Sequence, residues 1–401
     1  MRIAHVSSRI TQWARRVRVS AAAEAQALRL PEPNPAARIR LLVIANARIP
    51  TVQLSLLQPL AGLISAGEVS LDFLTEADLR KRFGPDSRSA QARRWFNQRM
   101  RDSRANCFFI CRYSGPFSGD VTLYANNAGI GSIYCIDDDL LNVPRELGAA
   151  KWAYHSDPLR LDAVRHLLEQ TDLVYVSNER LAKRLRELGI WRDFFVGTLF
   201  CSGRVLQPPR GGSALTLGYM GFDHDHDFEQ ALPAVARLMR RNPQLRLELF
   251  GRITRPPVLS AFGDRVIELP VVEDYAAFLR ALAARRWDIG ICPLARTRFN
   301  AVKNVNKWIE YTSVGAAVVA TRGMIYDDCC GAGCGWLVDE AGWDTALQTL
   351  TDDSIRRVHQ VEAAQRRLTR DYSPEALCDQ IMTLIARARA LGRSKARGAH
   401  A

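Results

Sequence analysis

The stretch from Arg298 to Thr321 gathers side chains that could act together on one ligand: Asn300, Lys303, Lys307 and Glu310. Val302, Val305, Ile309 and Thr312 recur at helical spacing. The spacing predicts a helix over 301–313 that ends at Gly315, a position glycine fills cheaply. On such a helix Asn300 is a candidate N-cap. Lys303 and Lys307 fall one turn apart on one face, and Glu310 follows Lys307 at i+3 on that face. A helix N-terminus with cations in its first turns is an anion site, most naturally for phosphate. A carboxylate two turns further on suits a pair of hydroxyls, such as a ribose diol. Phosphate first and sugar next along one helix describes a nucleotide clamp. The plainer alternative is a surface helix with one Lys–Glu pair.

The elements that must position this stretch are read from pattern. Ala317–Ala320 is a short apolar run bounded by glycines, the pattern of a strand buried on both faces of a parallel sheet. From Ile39 onward, strand and helix patterns alternate. Strands are expected at 39–45, 69–74, 107–111, 132–136, 173–176, 215–220, 245–250, 266–269, 288–293 and 335–338. Helices are expected between them, including 53–66 and 374–389. Repeated β-α units imply parallel sheets covered on both faces. Pro208, Pro209, Gly211 and Gly212 mark an interdomain linker. The division that follows is a basic extension over 1–36, an N-terminal domain over 37–207 and a linker over 208–213. A C-terminal domain over 214–373, a crossover helix over 374–390 and a basic tail over 391–401 complete it.

Other groups at expected strand ends carry chemistry of their own. Gly129-Ile130-Gly131 precedes a strand, so it is not a dinucleotide fingerprint, which runs strand, glycines, helix. Asp137-Asp138-Asp139 ends a strand. By residue type it could hold a metal, or it could form a cleft rim where ligands gather at strand carboxyl ends. His155, with Lys151 and Tyr154, is a second candidate for that rim. Asp138 and His155 are the catalytic candidates by residue type. Asp223-His224-Asp225-His226-Asp227 could bind a metal, or form a loop whose backbone N–H groups face phosphate. Gly251-Arg252 ends a further strand. Cys329, Cys330 and Cys334 lack a second ligand pair and do not read as a zinc site.

The chain has 401 residues, enough for two domains of about 200 each. Its nine cysteines show no framework spacing, which suits a reducing cytoplasm. No run of about 18 apolar residues predicts a membrane span, and residues 1–30 lack the apolar core of a secretory signal. The net charge is +13, with arginines crowded at both ends. Solvated tails, anionic membrane contact and nucleic-acid binding each account for that charge. Neither a helix-turn-helix, a zinc finger nor an RNA-binding aromatic signature supports the last, so no nucleic-acid partner is expected.

The stretch Phe299, Asn300, Lys303, Asn304, Lys307, Glu310, Tyr311, with Gly315, Val318, Val319 and Ala320, resembles a motif of known enzymes. It is similar to the nucleotide-sugar site of GT-B glycosyltransferases of the retaining "group 1" type. The likeness is strongest to the bacterial subset that makes envelope glycans. Two departures stand out. Ala317 takes a position usually held by proline, and Val302 stands where the wider family has a glutamate that meets the donor sugar. Gly221, His224 and Asp227 match the family's phosphate loop in part, but its Arg and Lys are missing. Lys303, Arg252 or Arg298 would supply that charge.

The resemblance implies an α/β GT-B fold, two Rossmann-like domains facing each other across a cleft. It implies transfer of a sugar from a nucleotide-diphosphate sugar to a glycan or lipid-linked acceptor, with retention and without a metal or other cofactor. Gly221, His224, Asp227, Gly251, Arg252, Arg298, Asn300, Lys303, Asn304, Lys307 and Glu310 would bind the donor. The setting would be polysaccharide biosynthesis in the cytoplasm, with the basic termini available to an anionic membrane surface at its inner face. A nucleotide-sugar epimerase and a catalytically degenerate binding or scaffold protein are the competing readings.

Overall fold

The computed structural model describes residues 33–48, 50–198, 203–214, 216–222, 225–272 and 274–398. The extension before residue 33, His224 and residues 399–401 lie outside the described residues. The chain divides into two compact units. The N-terminal unit runs to residue 200 and includes Val302–Asn304 and the helix from Pro374. The C-terminal unit takes 201–301 and 305–373.

In the N-terminal unit β1 (Ile39–Ala45), β2 (Val69–Thr75), β3 (Cys107–Cys111), β4 (Gly131–Ile136), β5 (Leu173–Val176) and β6 (Phe194–Val196) form one sheet. Their order is β2-β1-β3-β4-β5-β6, and every pair is parallel. Cys107–Cys111 and Gly131–Ile136 are buried at every position, as a parallel strand covered on both faces requires. The covering helices include α1 (Glu76–Phe83), α2 (Ala90–Asp102), α3 (Ser118–Asn127), α4 (Ala149–His155), α5 (Pro158–Gln170) and α6 (Glu179–Glu187). β6 was not expected; it has three residues, too few for a periodic signal.

In the C-terminal unit β7 (Thr216–Phe222), β8 (Arg246–Arg252), β9 (Val266–Leu269), β10 (Ile289–Cys292), β11 (Ala317–Thr321) and β12 (Trp336–Val338) form a second parallel sheet. Its order, β12-β11-β10-β7-β8-β9, is the doubly wound Rossmann order. Helices α7 (Leu232–Arg241), α8 (Tyr275–Arg285), α9 (Asn306–Ser313), α10 (Trp343–Asp352) and α11 (Ser354–Asp371) cover it. In each sheet the chain reverses its winding at one switch point, β1/β3 in the first and β7/β10 in the second. Such points open a crevice beyond the strand carboxyl ends, where ligands bind.

The last helix, α12 (Pro374–Gly398), packs on β4. This explains Gly129-Ile130-Gly131. A Cβ on Gly131 would lie 2.3 Å from the Ala388 carbonyl oxygen, and one on Gly392 would lie 2.5 Å from the Gly131 nitrogen. The glycines let helix and strand touch backbone to backbone. Two of the C-terminal cations also find acids here. Lys395 lies 2.6 Å from buried Asp172, and Arg387 pairs with Asp193. Among the described residues no helix is long and apolar enough to cross a membrane.

Two expected helices are broken. The 53–66 helix is a short α-turn, Pro50–Val52, running into a π-helical stretch, Gln53–Leu57, and then Ala61–Ser65. The 301–313 helix is a 3₁₀ turn, Asn300–Val302, a non-helical segment, and then α9 from Asn306. The cause is hydrogen bonding. Asn178 Nδ2 donates to the Val302 and Lys303 carbonyls at 3.1 and 3.0 Å, and buried Val302 belongs to the core of the N-terminal unit.

Candidate functional site

The C-terminal switch point is built by the loops after β7 and β10. Asp227, fully buried, joins them: its carboxylate accepts from the Ala295 N–H at 2.7 Å and from Asn300 Nδ2 at 2.9 Å. Asn300 Nδ2 donates as well to the Ala295 carbonyl at 3.0 Å. Asn300 is therefore not the cap of α9, contrary to expectation, because its side chain is spent inside the loop. The residue before α9 is Val305, which makes no side-chain cap bond. The C-terminal end agrees with expectation. Gly315 has φ 80°, and the Ala316 N–H reaches the Tyr311 carbonyl at 2.9 Å.

Lys307 lies in the first turn of α9 and Glu310 one turn later. Lys307 Nζ lies 4.6 Å from the ring centroid of Tyr219 and 3.5 Å from its hydroxyl. This is a cation–π geometry against the middle of β7. Glu310 is buried, and its Oε1 accepts from the Tyr275 hydroxyl at 3.1 Å. Tyr311 anchors the helix: its hydroxyl accepts from the Met220 N–H at 2.9 Å, and its ring fills the space over Gly290. Gly221 and Gly251 face each other across β7 and β8. Gly251 has φ 112°, and a Cβ there would sit 2.5 Å from the Gly221 carbonyl oxygen, so the strand ends close only without a side chain. Arg252 and Arg298 are exposed. Tyr219 and Tyr275 were not anticipated: Tyr219 lies mid-strand in β7 and Tyr275 at the start of α8, and neither position by itself marks a binding residue.

Lys303 and Asn304 belong to the N-terminal unit, so Lys303 and Lys307 are not consecutive turns of one helix as expected. Lys303 Nζ lies 3.8 Å from Asp138. Asp138 also accepts from Arg112 Nη1 at 2.9 Å, and Asp137 pairs with the same guanidinium. Asp139 accepts instead from Arg184 at 3.0 Å and from Asn142 at 3.0 Å. The three consecutive aspartates thus face two different arginines. Arg112 holds φ 49°, a left-handed conformation uncommon for a residue with a side chain. Asn46 ties β1 to β3 at this switch point: its Nδ2 donates to the Arg112 carbonyl at 3.1 Å, and its Oδ1 accepts from the Ser114 N–H at 3.0 Å.

Burial pushes Asp137 up despite Arg112. Burial acts on Asp138 in the same sense, but Lys303 and Arg112 outweigh it and hold that carboxyl well below the ordinary range. His155, at the end of α4, is pushed down to about 4 by burial and then by the charges of Arg112 and Lys151. It is therefore neutral near pH 7, a weak base that can accept a hydrogen bond at one ring nitrogen. Behind this rim, buried Arg160 donates to both oxygens of Glu76, at 2.8 and 3.1 Å, and stacks on Tyr154 at 3.8 Å.

No family model matches the chain, and no curated protein matches it by sequence. Solved structures do match. Sucrose-phosphate synthase from Thermosynechococcus elongatus superposes with a TM-score of 0.60 at 13% identity, over 88% of this chain and 99% of that one. The Anabaena protein HepE, solved in complex with UDP, gives 0.58 at 11% identity, over 87% and 100%. A trehalose 6-phosphate synthase from Burkholderia multivorans gives 0.54 at 11%, over 88% and 97%. Likeness at such identities is likeness of fold, and with two parallel six-stranded sheets in Rossmann-like units this chain has the α/β GT-B fold.

Proposed function

We propose that this protein is a glycosyltransferase that moves a sugar from a nucleoside-diphosphate sugar to a glycan or lipid-linked acceptor, with retention of configuration. The observation that carries this reading is the C-terminal switch point, where one helix sets a lysine against Tyr219 and a buried glutamate against Tyr275. Phosphate and ribose are the natural partners of that pair. The fold likeness to a protein solved with UDP supports it.

In this reading the C-terminal unit holds the donor and the N-terminal unit takes the acceptor. Lys307, with Arg252 and Arg298, stabilises the charge that develops on the departing diphosphate, so fixed side chains supply the electrostatic work without an essential metal. Glu310 accepts from the ribose hydroxyls. His155, neutral at physiological pH, hydrogen-bonds a sugar hydroxyl. The basic C-terminal helix favours an anionic membrane surface as the place of work.

A thermal-shift series with UDP, GDP, dTDP, CMP and their sugars, with and without EDTA, tests the donor site. A ligand specific for the folded state adds about 2.7 kcal/mol at a hundred times its dissociation constant. A shift with one nucleoside diphosphate that survives EDTA is the expected result. No shift with any of them overturns the assignment. A second reading, a binding protein without turnover, is favoured by Val302, which is buried in the N-terminal core where the resemblance has a sugar-binding glutamate. Any donor turnover or hydrolysis excludes it.

A further inference from the structure

The amino ends of the strands in the N-terminal sheet lie opposite its switch point, and the last helix reaches them. Gly131 and Gly392 let α12 touch the start of β4, and α12 packs on β3 as well. Its arginines thereby join those at the start of β1. Arg38 and Arg393 are exposed, and Arg40 and Arg389 are half-buried. Burial pushes the Arg389 guanidinium below its usual range, and Arg393, with Arg38 and Arg40, adds to the shift. Arg40 is held by carbonyls rather than by an acid: Nε donates to the Arg104 carbonyl at 2.8 Å and Nη1 to the Ala37 carbonyl at 3.1 Å. Lys395 and Arg387 of the same helix pair with Asp172 and Asp193. Among the described residues Arg38, Arg389 and Arg393 form no ion pair. Guanidiniums gathered in this way repel one another, and an anion relieves the repulsion.

The same edge carries an apolar group out of place in water. Trp191, in the loop before β6, is 76% exposed. The Arg387–Asp193 pair ties that loop to α12, and exposed Arg192 is its neighbour. An indole beside arginines suits the boundary between water and lipid, where the ring sits at the level of the headgroups. Sheet order sets β1 and β6 four strand spacings apart, about 19 Å. Cations and an indole spread over that width fit a plane of headgroups better than one small ligand.

We propose that this amino edge docks on an anionic phospholipid surface, with Arg38, Arg40, Arg389 and Arg393 against the lipid phosphates and Trp191 in the headgroup layer. Docking here rests on the reading of a membrane as the place of work, and it fixes which face meets the lipid. The N-terminal switch point then faces away from the membrane, because it lies at the carboxyl ends of the same strands. β1, with seven residues, rises about 23 Å from one edge to the other.

The test is flotation of the full chain with vesicles of phosphatidylcholine, with and without phosphatidylglycerol. Binding is expected with the anionic vesicles and should weaken as salt is raised. A triple variant, Arg38→Ala with Arg389→Ala and Arg393→Ala, should lose about a hundredfold, since each cation near such a surface is worth about fivefold. Trp191→Ala should lose about tenfold, a loss that salt does not change. A double variant of exposed arginines in the other unit, Arg322→Ala with Arg356→Ala, should bind as the wild type does, which separates this face from net charge. None of these residues is assigned to the donor, so the nucleotide thermal shift should be the same in every variant, and either reading can fail without the other. Hydrogen exchange on vesicles should protect residues 188–193 and leave 112–118 at the switch point unchanged. Five outcomes overturn the proposal: no flotation with anionic vesicles, undiminished binding in the triple variant, an equal loss in the control, release by millimolar phosphate at fixed ionic strength, or protection at 112–118 instead. Tighter binding of a single-stranded oligonucleotide through the same arginines would also overturn it, in favour of a nucleic-acid face.

Discussion

The two switch points are built on one plan and filled with opposite chemistry. Each has an Asn or Asp that ties two strand-end loops together, Asn46 in the N-terminal unit and Asp227 in the C-terminal unit. Beyond that brace they diverge. The N-terminal edge is dense in opposed charges: Asp137 and Asp138 share Arg112, Lys303 adds to Asp138, and Arg184 holds Asp139. The C-terminal edge sets two of its charged groups against aromatic residues: a lysine over a tyrosine ring and a glutamate accepting from a tyrosine hydroxyl. Half-buried ion pairs that satisfy each other are strongly coupled to folding. A cation resting on an aromatic face can exchange that contact for a phosphate at small cost. The first edge should therefore respond to mutation in stability and the second in turnover.

Five substitutions can break or sharpen this contrast. The largest effect is expected from Arg112→Ala, which strips the common partner from two poorly exposed aspartates. It should lower unfolding free energy by about 3–5 kcal/mol in urea titration; a loss below about 1 kcal/mol would mean the cluster is not structural. Lys307→Ala should cut turnover tenfold or more, corresponding to about 1.5–3 kcal/mol of transition-state stabilisation. Its melting temperature should barely move, and unchanged kinetics would remove Lys307 from the donor site. Lys303→Ala removes the cation beside Asp138 and should lower stability in urea titration; unchanged stability would mean that this pair is not structural.

Gly290→Ala asks whether packing rather than charge positions the second edge. Its Cβ would lie 2.4 Å from the Tyr311 ring, so α9 must shift, at about 1–3 kcal/mol of overpacking. Weakened nucleotide affinity in this variant is expected; full affinity would show that α9 tolerates displacement. The smallest effect is the pH response of His155. Its folded pKa of about 4 lies below the ordinary 6.5, so the unfolded chain binds the proton first. Its stabilising contribution is complete above pH 6.5 and is lost as pH falls from there toward 4. The wild-type protein should lose more stability than His155→Phe across that window, by at most one proton's slope. Identical slopes would place His155 in solvent.

Much of the fold was legible because parallel strands buried on both faces leave short apolar runs between glycines and helices. Cys107–Cys111, Leu173–Val176 and Val266–Leu269 are strands over the very residues that pattern marks. The candidate site was legible in part. Glu310, Lys307 and the Gly315 stop lie on one helix as read. Asn300 and Lys303 were misplaced because helical periodicity does not register a side chain from another segment. Asn178 caps the carbonyls of Val302 and Lys303 from more than a hundred residues away, and the helix stops short there.

The sequence by itself determined the alternation of strands and helices, the glycines where backbones must touch, and the pairing of a lysine and a glutamate on one helical turn. These are local: each follows from period, size or backbone freedom over a few residues. Only the tertiary structure decided which charges cancel. Arg112 and Asp138 are 26 positions apart, and Lys303 and Asp138 are 165 apart. Sheet order brings them to one edge, and Coulomb energy depends on distance and burial rather than on position along the chain.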